Sequence, residues 1–377
     1  MAWPLYTLIR GRNTMQPKIA IIYLSFHCEP YMDDIISSLK KLTYPRDRVE
    51  FVIVDNPHPT LGPSVKYLEE TVMPLSGKEI PHVTLLPQTD NIGFGPGNNA
   101  GVDWALANGF EYVYFHNNDG FMAANCLEPI ITVMETDKSI GAAQSLMLLH
   151  PETELVNSTG NAYNYLGFGF CNDYRVPIAS LKLPAVKDVA YTSGAALMMR
   201  ADLIKQYGAW DDSFWMYHED LEWSFRLRSV GYRSVMVRDS VFYHKYQFSR
   251  SISKFYWMER NRFAVLLMYF KWPTLAVLFP MLLAMEVALI GFALKGGWWS
   301  ERKKVYQYWA KSESWHFWLK KRAHIQSLKK ISDRELLAPA VAGIYFQDKL
   351  TDNWIVNKIG NPILTLHFWL VKLIVRW

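Results

Sequence analysis

The sequence predicts an α/β fold, a mixed and mainly parallel sheet flanked by helices, with a helical, membrane-associated carboxyl-terminal region. Short apolar runs at 18–25, 50–54, 81–86 and 112–115 alternate with segments of helical spacing, the pattern of parallel strands joined by crossovers. Two of these runs stop at an acidic or amide cluster, the mark of a buried strand that ends in a loop. A 22-residue apolar stretch at 273–294 then leads into a basic, Trp-rich segment.

In order, 18–25 is a continuous apolar run that suits a strand buried on both faces. Ile35, Ile36, Leu39 and Leu42 fall at helical spacing, and 50–54 is a second strand ending in Asp55-Asn56-Pro57. At that strand end Asp55 is placed either to accept the imide N–H of a uracil or thymine ring or to cap the turn that follows. A helix over 65–72 and a strand over 81–86 lead to the segment 89–101, which holds Gly93, Gly95, Gly97 and Gly101 before a helix expected over 100–108. Glycines there let backbone N–H groups approach an anionic ligand at a helix start.

The strand 112–115 ends in His116-Asn117-Asn118-Asp119-Gly120. A carboxylate at the carboxyl end of such a strand is placed to hold a divalent cation against a diphosphate; the same residues also fit an Asn-Asp-Gly turn. A helix over 127–135 and a strand over 140–149 follow. Residues 157–188 show no period and read as a long loop, either an acceptor wall or an insertion. The small-residue turn at 191–196 enters another strand and leaves room for a ligand. Glu219-Asp220 open a helix that Gly231 stops, a place where acids suit the helix dipole and where one of them can act as a general base. Strands at 234–237 and 241–244 end in His244, a credible second metal ligand beside Asp119. Ser249, Lys254, Arg260, Asn261 and Arg262 offer donors for a diphosphate or an anionic acceptor, or form a solvated helix face.

Composition narrows the class. Half the chain is hydrophobic and 20% charged, rich for a soluble enzyme and poor for a polytopic membrane protein. Cys28, Cys126 and Cys171 are odd in number and widely spaced, which argues against a disulfide framework or zinc site and favours a reducing compartment. The first 16 residues lack the long apolar core and small-residue cleavage site of a secretory signal. The basic excess sits in 295–334, with eleven Lys/Arg against three acids, interleaved with Trp298, Trp299, Trp309, Trp315 and Trp318. That pattern suits an anionic lipid surface; no nucleic-acid motif accompanies it. Pro280 and Glu286 interrupt 273–294, so a shallow helix is as consistent as a span, and 362–377 reads as a final amphipathic anchor. There are no internal repeats and no heptad run.

Taken together, the Val54-Asp55-Asn56 strand end, Asn91-x-Gly93-Phe94, Gly97-Asn98-Asn99-Ala100-Gly101, Asn117-Asn118-Asp119, the Gly194 turn, Glu219-Asp220 with Arg226 and Gly231, and His244 resemble the inverting glycosyltransferases of family 2. The resemblance covers about 18–262 and implies a GT-A, Rossmann-like fold there. It leaves a 1–17 extension and a 263–377 helical, membrane-associated region. Through Lys254-Phe-Tyr-Trp-Met-Glu-Arg-Asn-Arg262 the chain looks most like bacterial rhamnosyltransferases and galactofuranosyltransferases of cell-surface polysaccharide synthesis. It departs from the family's Asp-x-Asp, since Asn117 replaces the first carboxylate.

The resemblance implies in-line attack by an acceptor hydroxyl, with Asp220 as base and Glu219 the runner-up. Asp119 and His244 would hold Mn²⁺ or Mg²⁺ at the leaving diphosphate, with Ser249, Lys254 and Arg262 supplying further charge. Ser25, Asp55, Asn56, Asn91, Gly93, Phe94, Asn98, Asn99, Asn117, Asn118 and Gly194 would bind the nucleotide sugar. The donor expected is dTDP-rhamnose, alternatively UDP-galactofuranose or another UDP-sugar. The acceptor expected is a lipid-linked saccharide, with the enzyme peripheral or shallowly inserted on the cytoplasmic face of the membrane. A metal-free nucleotide-sugar-binding scaffold and a nucleotidyltransferase are the rivals; the intact acids and His244 oppose the first, and the missing lysine near the glycine segment opposes the second.

Overall fold

The computed structural model describes residues 16–246, 254–345 and 354–377. The extension expected over 1–17 therefore lies almost wholly outside the described residues. Four strands, β1 (Ile19–Ser25), β2 (Val49–Asp55), β3 (His82–Pro87) and β4 (Tyr112–His116), are joined by α1 (Met32–Lys41), α2 (Val65–Thr71) and α3 (Phe94–Ala107). Next come β5 (Gly120–Met122), α4 (Leu127–Thr136) and β6 (Ile140–Leu149). Short strands β7 (Val156–Ser158), β8 (Asn161–Tyr163), β9 (Gly169–Cys171) and β10 (Val186–Asp188) precede β11 (Ala196–Arg200), α5 (Ala201–Tyr207), α6 (Glu219–Ser229) and β12 (Arg233–His244). The later helices are α7 (Lys254–Tyr269), α8 (Trp272–Lys295), α9 (Trp299–Trp309), α10 (Ser312–Leu328), α11 (Asp333–Leu337) and α12 (Asn361–Ile374).

The main sheet runs β10-β12-β6-β11-β4-β1-β2-β3. β1, β2, β3 and β4 are parallel, β12 is parallel to β6, and β11 is antiparallel to both β4 and β6. The carboxyl ends of β4 and β12 therefore share one edge of the sheet. Every residue of β1 and β6 is buried, because helices cover both faces. α1, α2 and α4 pack Ile35, Leu39, Leu68 and Ile130 on one face, while α3, α5 and α6 pack Val102, Leu203, Trp223 and Leu227 on the other.

The glycine segment is a helix where a loop was expected. α3 already starts at Phe94, and its glycines serve packing: a Cβ on Gly97 would meet Leu24 at 2.5 Å, and one on Gly101 would meet Ile22 at 2.6 Å. The stretch 157–188 is likewise a folded insertion, with Asn157, Ser158, Asn161, Tyr163, Asn164, Tyr165 and Leu166 buried. Its polar groups bond across long sequence distances, which local periodicity does not register.

The boundary expected at 262/263 falls inside α7. One core joins Tyr163, Phe214 and Phe225 of the sheet domain to Trp318, Ile325, Leu364 and Phe368 of the later helices. The basic, Trp-rich stretch is accordingly not a free surface: Trp298, Trp318, Arg302 and Arg322 are all buried. Arg322 donates to the carbonyls of Leu267 and Phe270, Gln326 to that of Met268 and Lys329 to that of Tyr269, so α10 satisfies the open carbonyl end of α7.

α7 also restrains the segment that leads into α6. Trp215, Tyr217 and His218 have φ of 60°, 63° and 68°, each a departure that costs of the order of 1–3 kcal/mol for a side-chain-bearing residue. Asn261, fully buried, donates its amide to the carbonyls of Phe214 (2.9 Å), Met216 (2.9 Å) and Tyr217 (2.7 Å). Trp215 stacks on Trp257 at 4.6 Å, and its carbonyl accepts from Phe94 and Gly95. The first N–H groups of α3 are thus occupied within the protein. Asn261→Ala is expected to lower stability by roughly 1–3 kcal/mol, the range for stranded buried acceptors, and to speed amide hydrogen exchange across 214–222. Unchanged exchange in that window would show that the strained segment holds without the clamp.

Candidate active site

A cavity of about 350 Å³ opens where the carboxyl ends of β4 and β12 meet the start of α6. Asp119 and His244 stand on one side, Glu219 and Asp220 on another, and Asn117, Gly194, Phe94 and Lys254 complete this part of the lining. The β12–β5 pairing sets His244 opposite Gly120, so two residues far apart in sequence meet at one edge. His244 Nε2 lies 2.9 Å from Asp119 Oδ1.

The far side of the imidazole fixes its proton. Nδ1 donates to Asn157 Oδ1 at 2.9 Å, so Nε2 is the ring nitrogen turned toward Asp119. Asn117 Nδ2 donates to Asp119 Oδ1 at 2.6 Å and lies 3.0 Å from His244 Nε2. A divalent cation fits the same donor set: a carboxylate oxygen and an imidazole nitrogen about 3 Å apart match neighbouring ligands of an octahedral ion with bonds of about 2.1 Å. Among the described residues no group of three or more His, Cys, Asp or Glu surrounds a single point, so the protein would contribute this pair, with other ligands coming from substrate and water.

Glu219 and Asp220 differ in their surroundings. Asp220 is partly exposed and accepts from the N–H of Leu221 at 2.8 Å and from the N–H of Gly194. Burial pushes its carboxyl up to about 6 against the pull of those donors. Glu219 is buried, its Oε2 has no hydrogen-bond partner among the described residues, and burial followed by the charge of Asp220 drives it well above the usual range. Burial thus raises both carboxyls, and Asp220 is the more exposed of the two.

Several residues expected to bind ligand instead bracket the backbone. Asp55 is 1% exposed, and its oxygens accept from Ser25 Oγ (2.7 Å) and from Ser64 N (3.0 Å), which occupies both Ser25 and Asp55. Asn56 bonds Asn91 Oδ1 and the N–H of Ile92, and Asn91 in turn accepts from Gly93 N. Asn98 donates to the Phe94 carbonyl within its own helix, while Asn99 ties α3 to Trp210 and Asp212. Asn118 ties the end of β4 to Phe26 and Tyr23. Gly93 has φ 94°, and a Cβ there would strike Trp215 at 2.5 Å. None of these lines the cavity; Phe94, Asn117 and Gly194 do.

Of the expected diphosphate donors, Lys254 reaches the cavity. Arg262 does not: it is fully buried and bonds Glu259 at 2.8 Å and Glu286 at 3.1 Å. Burial alone would raise Glu259, yet Arg262 and Arg302 outweigh it and hold its carboxyl down at about 2. Ser249 lies outside the described residues. Sequence reading missed Asn157 as the partner of His244 and the place of Tyr217 in the wall, while Asn161 and Phe170 line the cavity from the stretch expected as an acceptor wall. It also missed the aromatic pair Phe26–His58, 4.7 Å apart at the ends of β1 and β2. The excess of Asn and aromatic residues in 157–191 was the one available signal.

The architecture has counterparts among known proteins. N-acetylglucosaminyl-diphospho-decaprenol L-rhamnosyltransferase of Mycobacterium tuberculosis, in the CDC 1551 / Oshkosh and the ATCC 25618 / H37Rv strains alike, is 22% identical over 253 residues, spanning 61% of this chain and 77% of the relative. The crystal structure of GalNAc-T7 with UDP, GalNAc and Mn²⁺ superposes with a TM-score of 0.53 at 14% identity over 68% of this chain. The chain spans about half of that structure, 48% of its length, and the likeness establishes the GT-A fold. Residues 17–264, well over half the chain, match the family described as "Glycosyltransferase like family 2", and the chain belongs to that family.

Proposed function

We propose that this glycosyltransferase is a metal-dependent inverting enzyme that moves L-rhamnose from dTDP-rhamnose to a lipid-linked saccharide in cell-surface polysaccharide synthesis, at the cytoplasmic face of the membrane. The observation that carries this reading is the convergence of a raised, partly exposed carboxylate, Asp220, and the Asp119–His244 pair on one cavity. The activity of the mycobacterial relative supports the sugar and the acceptor class.

In this mechanism Asp220 accepts the proton of the acceptor hydroxyl as its oxygen attacks the anomeric carbon, and the nucleoside diphosphate leaves from the opposite face. Burial followed by the charge of Asp220 raises the Glu219 carboxyl, which favours its neutral form beside the base. Asp119 and His244 would hold Mn²⁺ or Mg²⁺, which would supply Lewis-acid neutralisation of the charge on the leaving diphosphate. Lys254 adds fixed positive charge on the same cavity, and Asn117 holds Asp119 and His244 in register. Phe26 and His58 offer a stacking platform for the base at the sheet edge above Asp55.

The reading is tested by nucleotide release from dTDP-rhamnose, UDP-galactofuranose, UDP-glucose and UDP-N-acetylglucosamine with a polyprenyl-diphosphate saccharide, using the detergent-solubilised protein with Mn²⁺ or EDTA. Release from dTDP-rhamnose alone, abolished by EDTA, is expected; a UDP-sugar as sole donor would replace the rhamnose assignment. Asp220→Asn is expected to lower kcat by at least about 10²-fold. Because burial raises the Asp220 carboxyl, wild-type kcat/KM should fall as pH drops through about 6, not through the ordinary carboxylate range near 4. The same shift means that the folded state binds this proton more tightly than the unfolded chain, so ionisation destabilises the fold as pH rises from about 4 to 6. Asp220→Asn should therefore melt higher than wild type at pH 7; an equal or lower Tm, with activity flat down to pH 5, would remove Asp220 from the role of base. For the metal, Asp119→Asn should weaken Mn²⁺ binding at least tenfold, read by electron paramagnetic resonance of the free ion, and unchanged binding would move the cation elsewhere.

A further inference from the structure

The structure assigns the helical region a specific pose, which rests on the membrane-associated reading above: α8 and α12 lie flat on one lipid leaflet as a single monotopic face, α8 does not cross the bilayer, and the cavity mouth opens at the rim of that face. α8 has 24 residues and is apolar enough to span by length and composition. It is nevertheless fastened to the folded body at both ends and in the middle. Thr274 donates to Asp333 Oδ2 at 2.5 Å and accepts from Trp377 Nε1 at 2.9 Å; Leu278 and Ala293 are fully buried. Between them Glu286 pairs with Arg262, Arg302 and the Tyr306 hydroxyl. Residues 274 and 293 are about 28 Å apart along a helix, so the docked length nearly equals the hydrocarbon thickness of about 30 Å. A spanning α8 would draw the Glu259–Arg262–Arg302 cluster, and with it α7 and Lys254 of the cavity, to the bilayer midplane, where charge is most unfavourable.

Among the described residues nothing packs against the opposite face of α8. Phe279, Leu283, Val287 and Leu294 recur at helical spacing and are 54–66% exposed. α12 repeats the arrangement: Leu364, Phe368 and Val371 point inward, while Ile363, Leu366, Trp369, Leu373 and Ile374 are 45–63% exposed. One side of α12 thus serves the protein and an apolar side is left over. These side chains together exceed the few hundred Å² that a monomeric soluble protein leaves open. The charge at the rim selects the partner. Lys271, Lys295, Lys358, Lys372 and Arg376 are exposed, Glu286 is the one acid within 271–299, and 354–377 contains none, which complements an anionic phospholipid surface.

A single loop connects this face to the cavity. Tyr165 stacks on Phe368 of α12 at 4.7 Å and bonds His367 at 3.0 Å; five residues on, Phe170 lines the cavity and contacts exposed Tyr345 at 5.5 Å. A saccharide head group carried on a membrane lipid would reach Asp220 along this rim without leaving the interface.

The test uses the full chain in sealed inverted membrane vesicles, with Lys271→Cys or Lys295→Cys in a Cys171→Ser background and a membrane-impermeant maleimide. Both positions should label equally from outside, before and after permeabilisation. Labelling of one end only after permeabilisation would show a span and overturn this inference while leaving the membrane reading intact; protein recovered entirely in the soluble fraction would overturn both. In flotation with phosphatidylglycerol vesicles, Phe279→Glu/Leu283→Glu/Val287→Glu should bind at least about tenfold more weakly than wild type, and undiminished flotation would exclude α8 as the contact.

Discussion

The rest of the structure depends on one constraint: α7 is buried although it carries Lys254, Glu259, Arg260, Asn261 and Arg262, each at most 6% exposed. Charges and amides taken that far from water must be paired, and each pairing ties α7 to a different neighbour. Asn261 and Arg260 hold the strained segment before Glu219, Glu259 and Arg262 hold α8 and α9, and Lys254 faces the cavity. Such buried networks contribute little net stability compared with apolar packing of equal volume. Here the gain is one of geometry, since a single helix fixes Glu219, Asp220 and the helical appendage in one frame.

Within that frame the site uses contrast between like groups. Two adjacent acids open the same helix and line the same cavity, yet Glu219 is buried with one oxygen unpartnered among the described residues, while Asp220 is partly exposed and accepts from two backbone N–H groups. Burial raises both carboxyls, and the charge of Asp220 adds to the shift of Glu219. The missing first carboxylate of the metal motif has a comparable explanation. Asn117 donates to Asp119 and lies 3.0 Å from His244 Nε2, so it orients the two in a place where a carboxylate would add negative charge.

Much of this was legible in the sequence because it depends on local pattern. Strands buried on both faces read as apolar runs, and the acids at 119 and 219–220 and His244 stand at element ends, where they can be picked out by position. What failed depends on contacts across the chain. Gly97 and Gly101 look like a phosphate cradle until β1 is seen pressed against them. Asp55, Asn56, Asn91 and Asn99 have the composition of a ligand shell, yet a polar side chain bonds backbone as readily as substrate, and here the backbone has them. Arg262 sits within a plausible cationic motif but faces Glu286, twenty-four residues on, through a fold that periodicity does not show.

The measurement that tests the central claim most directly is a crystal structure of the protein soaked with a nucleoside diphosphate and Mn²⁺, with anomalous data at the manganese edge. The account requires one anomalous peak at about 2.1–2.3 Å from both an Asp119 oxygen and His244 Nε2, touching the diphosphate, with Asp220 facing the open side of the cavity. A manganese peak away from this pair, or a nucleotide seated in the separate cavity lined by Asp211, Arg226, Lys320 and Lys321, would contradict it.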